Sequence, residues 1–292
     1  MLPKNIENLL LKILENATGQ KEEITNMQSI SGGDINHALK FESSGETYFT
    51  KWNYTVNYPQ MFEKEATGLE ILRKANKIFI PEVIGHGEEA DYSLLILAYV
   101  RQAPQQQNFW TDFGQSLADL HQQESKTFGL DHHNYIGSLV QYNDFHDNWI
   151  DFFIQQRLEV QLKMAKNKGL ADSQTIKGFE KLYNRLQDFF PVEKPSLLHG
   201  DLWSGNYMTN SKGAPCIIDP AVYYGHRLMD IGMTRLFGGF SDEFYAAYHQ
   251  QYPMENNWRK GAEIANLYPL LVHLNLFGAG YLSSIKSITN QF

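Results

Sequence analysis

Asp201, Asn206 and Asp219 carry oxygen atoms of the kinds a phosphate-transfer site needs. The chain around them reads Leu197-Leu198-His199-Gly200-Asp201-Leu202-Trp203-Ser204-Gly205-Asn206, then Cys216-Ile217-Ile218-Asp219. Asp201 follows a short apolar run, Asn206 comes five residues later, and Asp219 eighteen residues after Asp201. From Asn206 to Asp219 the pattern predicts a hairpin: Tyr207 to Thr209, a turn at Asn210-Ser211-Lys212-Gly213, then Cys216 to Ile218. A hairpin folds its ends together, so Asn206 and Asp219 are expected side by side. An amide oxygen and a carboxylate are hard ligands, suited to a magnesium ion that bridges nucleotide phosphates. Asp201 is then left to accept the proton of an attacking hydroxyl.

The elements that must position these groups follow from the rest of the pattern. Ile6, Leu9, Leu10, Ile13 and Leu14 share one helical face, and Glu7, Lys12 and Glu15 interrupt any apolar run. This predicts a packed helix closed by Gly19 rather than a signal peptide. Met27 to Ser31, Ala38 to Glu42 and Thr47 to Trp52 read as strands, with Gly32 and Gly33 after the first. A glycine pair either marks a turn or lets main-chain N–H groups approach phosphates. Lys51 lies among Tyr48, Phe49 and Trp52; buried, its ammonium needs a partner, and a surface strand is the competing reading. Pro59 opens a helix to about Asn76, on which Glu65 precedes Leu69 and Leu72 at core spacing and Glu63 faces solvent. Ile78 to Ile84 and Ser93 to Val100 complete a small antiparallel sheet.

The polar, proline-containing stretch Arg101 to Asn108 marks a boundary, dividing the chain into domains 1–100 and 101–292. Beyond it Phe113, Leu117 and Leu120 space as one helix. A loop from Gly129 to Asn143 follows, then helices from Asp147 to about Lys168 and from Asp172 to Phe189. Ile264 to Ile285 carries no formal charge, but Pro269, His273, Asn275 and the Gly278/Gly280 pair speak against a membrane span. Leu267, Leu270, Leu271, Leu274 and Phe277 predict a buried core helix instead. With 42% hydrophobic and 20% charged residues the composition is that of a soluble globular protein. A net charge of −8 argues against nucleic acid as partner. One cysteine, Cys216, excludes an internal disulfide and fits a reducing cytoplasm.

The run H-x-D-x-x-x-x-N, with an aspartate after a hairpin, resembles the catalytic and metal-binding loops of the protein-kinase superfamily. Gly200 stands where protein kinases carry an arginine that pairs with a phosphorylated activation loop. Pro220 stands where Phe-Gly is expected, and no Ala-Pro-Glu follows. No receiver for activation-loop phosphorylation is visible, which points to the small-molecule branch. Within it, residues 199–206, Asp219 to Arg227 and Leu236-Phe237-Gly238-Gly239-Phe240 closely resemble the fructosamine-3-kinase (ketosamine kinase) family. So do Asn134-Tyr135-Ile136-Gly137, Trp149 to Phe153 with Arg157-Leu158, and His273 to Gly278. The likeness runs from about residue 28 to 282. One departure is Leu228, where that family usually has a glutamate after the arginine.

The resemblance implies an α+β, bilobal protein kinase-like fold: a small N-lobe of antiparallel sheet plus helix, and a larger, mainly helical C-lobe. It implies ATP and Mg2+, with nucleotide between the lobes. Lys51 then clamps the α- and β-phosphates, steadied by Glu65, while Gly32 and Gly33 approach them. Ala98, Tyr99 and Val100 form the hinge whose main chain meets adenine. Asn206 and Asp219 hold magnesium and Asp201 is the base. Asp230 braces the catalytic loop through backbone hydrogen bonds, a helix cap being its competitor, and His199 supports the same loop. Trp203, and His273 with Asn275, line the acceptor pocket, with plain core packing as the alternative. The acceptor implied is a ketosamine, free or protein-bound, phosphorylated on its 3-hydroxyl so that the adduct leaves: a deglycation repair activity with no nucleic-acid or membrane partner. The rivals are a phosphotransferase acting on an aminoglycoside or choline-like amine, and a catalytically silent binding protein of kinase shape.

Overall fold

A five-stranded antiparallel sheet organises the N-terminal part of the chain in the computed structural model, which describes residues 2–30 and 36–292. Its strands are β1 (Thr25–Ile30), β2 (His37–Ser43), β3 (Glu46–Tyr54), β4 (Val83–Glu89) and β5 (Tyr92–Ala98), in the order β1-β2-β3-β5-β4. Gly32 and Gly33 lie outside the described residues. Ser44 and Gly45, both at positive φ, make the two-residue turn that joins β2 to β3 and matches their twist. Helix α1 (Lys4–Thr18) buries Ile6, Leu9, Leu10, Ile13 and Leu14 against Leu39, Phe41, Tyr48, Trp52, Leu94 and Ile96 of the sheet. Gly19 ends it in the left-handed conformation, as expected. Successive strand side chains point to opposite faces, so with Trp52 under α1, Lys51 points to the other side. There lies α2 (Met61–Ala75), which starts two residues after Pro59.

The strand expected from Ile78 begins only at Val83. Pro81 has no N–H to give a ladder, and Phe79 instead forms one parallel bridge to Cys216.

The chain divides into two units, one of residues 1–106 with 208–219, the other of residues 107–207 with 220–292. This differs from the expected division at residue 100 in two places, and hydrogen bonds give the reason. The hairpin Tyr207–Thr209/Pro215–Ile217 is present as expected, and from Met208 on it is tied to the first unit. Thr209 Oγ1 donates to the Ala103 carbonyl at 2.7 Å, and Ala103 N–H donates to the Asn210 carbonyl at 3.1 Å. Gln106 N–H donates to the Gly213 carbonyl at 3.1 Å, and Ile217 N–H to that of Phe79 at 3.2 Å.

The second unit is mainly helical. The helix Phe109–His121 packs on the helix Asp242–Gln251, and Phe113, Tyr207, Phe240 and Phe244 pack their rings together there. The uncharged C-terminal stretch is not one element: Trp258–Ala265, Leu267–Phe277 and Leu282–Thr289 are separate helices. Leu267, Leu270, Leu271 and Leu274 are buried as predicted, whereas Phe277 is exposed. Among the described residues no helix is long and apolar enough to cross a membrane. Three other expectations are corrected. The loop from Gly129 to Asn143 contains a small hairpin, Asn134–Ile136 with Leu139–Gln141. The helix expected from Asp147 begins at Trp149, capped by Asn148, and widens into a π-helix over Phe153–Leu158. Asp172 caps a helix that stops at Tyr183 rather than Phe189. Leu228, the departure from the family pattern, is 2% exposed and belongs to the core.

Gly114 permits the close crossing of Phe109–His121 on Asp242–Gln251, because a Cβ there would collide with the carbonyl oxygen of Phe244. In an open helix Gly→Ala would stabilise; here the obstacle is backbone and cannot swing aside. Gly114→Ala is therefore expected to destabilise the protein by about 2 kcal/mol, read from urea unfolding curves.

Candidate active site

In the first unit the Lys51 ammonium, 7% exposed, lies 2.6 Å from Glu65 Oε1 and 2.7 Å from Asp219 Oδ1. Strand alternation turns Lys51 toward α2, one turn of which presents Glu65, and the hairpin delivers Asp219. Burial alone would pull the ammonium's pKa down, but the charges of Asp219 and Glu65 outweigh it and hold the group above the ordinary lysine range. The Glu65 carboxyl is pushed up by burial, against the pull of Lys51. Asp219 has a positive φ of 54°, a conformation that aspartate tolerates better than most residues. Its side chain is 47% exposed, unlike that of Glu65 at 12%. Glu63, by contrast, is exposed and in the first turn of α2.

At the end of β5, two of the three expected hinge donors are already committed. Ala98 N–H donates to the Glu82 carbonyl at 2.9 Å, and Tyr99 N–H to that of Thr47 at 3.1 Å. The N–H groups of Ala98 and Tyr99 are thus engaged within the first unit.

In the second unit the loop after the strand Ser196–Leu198 is fixed by Asp230. This carboxylate is fully buried and accepts from His199 N–H at 2.8 Å and Gly200 N–H at 2.9 Å, with His121 Nε2 at 3.2 Å. Asp230 thus bonds the main chain of this loop. Burial would raise its pKa; the His121 hydrogen bond and charge, together with His199 and the Gly200 N–H, hold it below the ordinary carboxylate range. Gly200 has φ +84°, and a Cβ there would run into the Ala221 carbonyl. The residue that replaces the protein-kinase arginine is thus required to be glycine by backbone alone. His199, fully buried, accepts from Asp201 N–H through Nδ1 at 3.3 Å. Asn206 Nδ2 donates to the Asp201 carbonyl at 2.9 Å and to Asp201 Oδ2 at 3.0 Å. Asp201 and Asn206 are therefore brought together, with the Asn206 nitrogen turned to Asp201 and its oxygen on the opposite edge.

Trp203, 38% exposed, meets Phe237 edge-on at 6.1 Å, and Phe237 lies 5.1 Å from the His273 ring. His273 also contacts Tyr281 at 5.0 Å. The two expected acceptor residues thus belong to one aromatic shelf whose linking members, Phe237 and Tyr281, sequence reasoning did not single out. His273 Nδ1 lies 2.7 Å from the Pro269 carbonyl, to which it must donate, so Nε2 carries the lone pair of the neutral ring. Burial lowers the His273 pKa, with that hydrogen bond opposing. Asn275 does not join the shelf: its amide donates to Gln161 O and Oε1, each at 2.9 Å, in the core. His121 and Tyr248, joined at 2.8 Å beneath Asp230, were also missed. Their only sequence signal is a histidine ending an otherwise apolar helical face.

Asp219 offers carboxylate oxygen in the first unit and Asn206 amide oxygen in the second, both hard donors of the kind a divalent cation takes. Among the described residues no group of three or more His, Cys, Asp or Glu gathers.

Comparison with known proteins bears on this geometry. The fructosamine kinase family model matches residues 7–292. The chain is 38% identical over 279 residues to a probable ketoamine kinase of Synechocystis, covering 95% of this chain and 94% of the relative. It is 36% identical over 279 residues to the chloroplastic protein-ribulosamine 3-kinase of Arabidopsis thaliana, covering 94% and 84%. A crystal structure assigned to a fructosamine-3-kinase of Haemophilus somnus superposes with a TM-score of 0.88 at 30% identity, covering 97% of this chain and 96% of that one.

Because Asp230 has a depressed pKa, its ionised form contributes stability above the ordinary carboxylate pKa near about 4, lost as pH falls below it. Urea unfolding of the wild type should weaken from about pH 5 to pH 3. Asp230→Asn should be less stable by about 3 kcal/mol at neutral pH, with a shallower acid slope.

Proposed function

The chain belongs to the fructosamine kinase family, and we propose that it transfers the γ-phosphoryl group of ATP to the 3-hydroxyl of ketosamines, in deglycation repair. The observation that carries this reading is the buried Lys51 ammonium between Glu65 and Asp219. A buried ion pair is weak as a stabilising device, since desolvation offsets most of its attraction. A cation held charged in that position is suited to a polyanion such as a nucleotide's phosphates.

Each unit contributes separately. In the first, Glu65 keeps Lys51 charged and aimed, Lys51 binds α- and β-phosphate oxygens, Asp219 supplies carboxylate oxygen for magnesium, and Val100 meets adenine through its main chain. A magnesium ion held by these oxygens would neutralise charge on the transferring phosphate. In the second, Asn206 offers the oxygen of an amide whose nitrogen also orients Asp201. Asp201 takes the acceptor hydroxyl's proton as that oxygen forms its bond to phosphorus, and ADP leaves. Asp230, through the His199 and Gly200 N–H groups, keeps the loop in place while this happens. Positioning and electrostatics supply most of the acceleration.

The Trp203–Phe237–His273 shelf offers an apolar face for a sugar ring, and neutral His273 a hydrogen-bond acceptor for a sugar hydroxyl. Cys216 is buried, its thiol pushed up to about 12, and takes no part. A reducing cytoplasm is the compartment we assign.

Asp201→Asn is expected to lower kcat by about a hundred- to ten-thousandfold while ATP affinity and unfolding midpoint stay unchanged. Coupled ADP release with fructosyl- and ribulosyl-amines, and with an aminoglycoside as the contrasting acceptor, measures it. Near-wild-type turnover in this variant would refute the assignment; a preference for the aminoglycoside would refute the ketosamine. Trp203→Ala should raise KM for the sugar acceptor about tenfold and leave KM for ATP alone.

A further inference from the structure

In the second unit a depression of about 690 Å³ is lined by Arg235, Arg259, Asn266, Ser283, Ser284 and Ser287 among others. No part of the phosphoryl-transfer reading uses it. Its chemistry is that of an oxyanion site. The two arginines are exposed, and neither makes an ion pair among the described residues, although the chain carries a net charge of −8. The one carboxylate in its wall, Glu263, is engaged by Lys260 Nζ at 2.7 Å and Gln291 Nε2 at 3.2 Å. Asp242 and Glu255 line an adjoining recess that shares both arginines.

Stacking orients the guanidinium groups: Arg235 lies over the Tyr245 and Trp258 rings at 5.4 Å each, Arg259 over Trp258 at 4.6 Å. Arg235 also bonds the Tyr245 side chain; the other in-plane N–H groups of a stacked guanidinium suit a planar or tetrahedral oxyanion. Ser287 is four residues from Ser283 and three from Ser284, so the three hydroxyls share one face of the helix Leu282–Thr289. At the margin Asn266, 7% exposed, is a buried amide whose Oδ1 lies against Gly232 and has no hydrogen-bond partner among the described residues. An acceptor in that state calls for a donor such as water, so an oxyanion draws on the arginines and serine hydroxyls rather than on Asn266 Oδ1.

Position relates this depression to the acceptor shelf. Asn266 and His273 are seven residues apart, two turns along one helix face, which is roughly 10 Å. Leu236 of the depression precedes Phe237 of the shelf, and Tyr281 of the shelf precedes Ser283 by two residues.

We propose that this depression is a subsite for an oxyanion, carboxylate or phosphate, carried on the amine part of the ketosamine. The inference rests on the ketosamine reading above. The sugar lies on the shelf, and an extended amine arm such as a lysine side chain runs along the helix face to bring its oxyanion to Arg235 and Arg259. The subsite raises affinity for anionic carriers and leaves the chemical step alone.

The test compares three acceptors with the same sugar on a lysine side chain: one with a free α-carboxylate, one with a neutral α-carboxamide, and one with the carboxamide and a neighbouring phosphoserine. Wild type should show a KM about tenfold lower for an anionic acceptor than for the neutral one, with equal kcat. The arm that gains more identifies carboxylate or phosphate as the preferred group. The R235A/R259A double variant should lose the preference while turning over the neutral acceptor as wild type does. Equal KM for all three acceptors in wild type, or a preference that survives in the variant, overturns the proposal. Binding of inorganic phosphate, followed by calorimetry with ADP present, gives a readout independent of turnover. Its affinity should fall about tenfold in the double variant, and an unchanged affinity overturns the subsite even if no acceptor reacts. Absence of turnover with every acceptor would count against the ketosamine reading, while the phosphate titration still decides the subsite.

Discussion

An ammonium kept charged inside a protein sets terms for everything around it. Lys51 is nearly inaccessible, and desolvation works against its charge; only two carboxylates in direct contact reverse that balance. Each must arrive from a different part of the chain. The alternation of β3 turns Trp52 into the apolar layer under α1 and so commits Lys51 to the other face, where α2 presents Glu65. The Asp219 carboxylate comes from a segment more than a hundred residues later in sequence. This is why residues 208–219 leave the unit that precedes them and join the first one: the bonds to Ala103, Gln106 and Phe79 hold the hairpin where its last residue can reach the lysine.

The second unit meets a matching demand with the opposite sign. Asp230 is a buried carboxylate whose compensation comes from main-chain N–H groups and a histidine rather than a lysine. Such a group positions the loop through main-chain N–H groups on one side and the His121 ring on the other. His121 is held in turn by Tyr248, so the brace reaches into the interface of the helices Phe109–His121 and Asp242–Gln251. The close approach at Gly114 therefore matters to the loop as well as to the core.

What the sequence revealed follows the range of the forces concerned. Turn residues and strand alternation are local, so the hairpin at 207–217, the α1 face and the first three strands were legible. Lys51 was legible as a charge in an apolar strand, though its surface alternative fell only when Glu65 and Asp219 stood beside it. The three-residue strands at Asn134–Ile136 and Leu139–Gln141 gave no periodic signal, being too short to show one. The π-helix at Phe153–Leu158 is likewise set by tertiary contacts, for Arg157 is fully buried among Phe152, Tyr223 and Tyr268. Asn275 looked like a pocket residue because a polar group on an apolar helix draws notice; its partner Gln161 lies far away in sequence. Phe237 and Tyr281 were passed over because aromatics beside glycines look like ordinary loop residues.

The short hairpin and the buried arginine that the sequence concealed explain a feature it displayed. Protein kinases order the segment after the metal aspartate with a phosphate paired to an arginine, and this chain has glycine at that place. Here the segment is held by side chains of the same unit. Asn134 Nδ2 donates to the Val222 carbonyl at 2.8 Å, and Gln141 Nε2 to that of Ala221 at 3.0 Å. Tyr268 Oη donates to Gln141 Oε1 at 2.9 Å, and Arg157 lies 4.0 Å over the Tyr223 ring. Ala221 N–H in turn donates to the His199 carbonyl at 2.9 Å, and its oxygen packs on Gly200. Every one of these bonds is made by uncharged groups or a buried cation, none by a side chain open to modification. Ordering of this segment therefore rests on contacts built into the fold, where a protein kinase uses a phosphate that can be added and removed. The short hairpin and Arg157 thus do by uncharged hydrogen bonds and ring contact what the superfamily's arginine does by ion pairing.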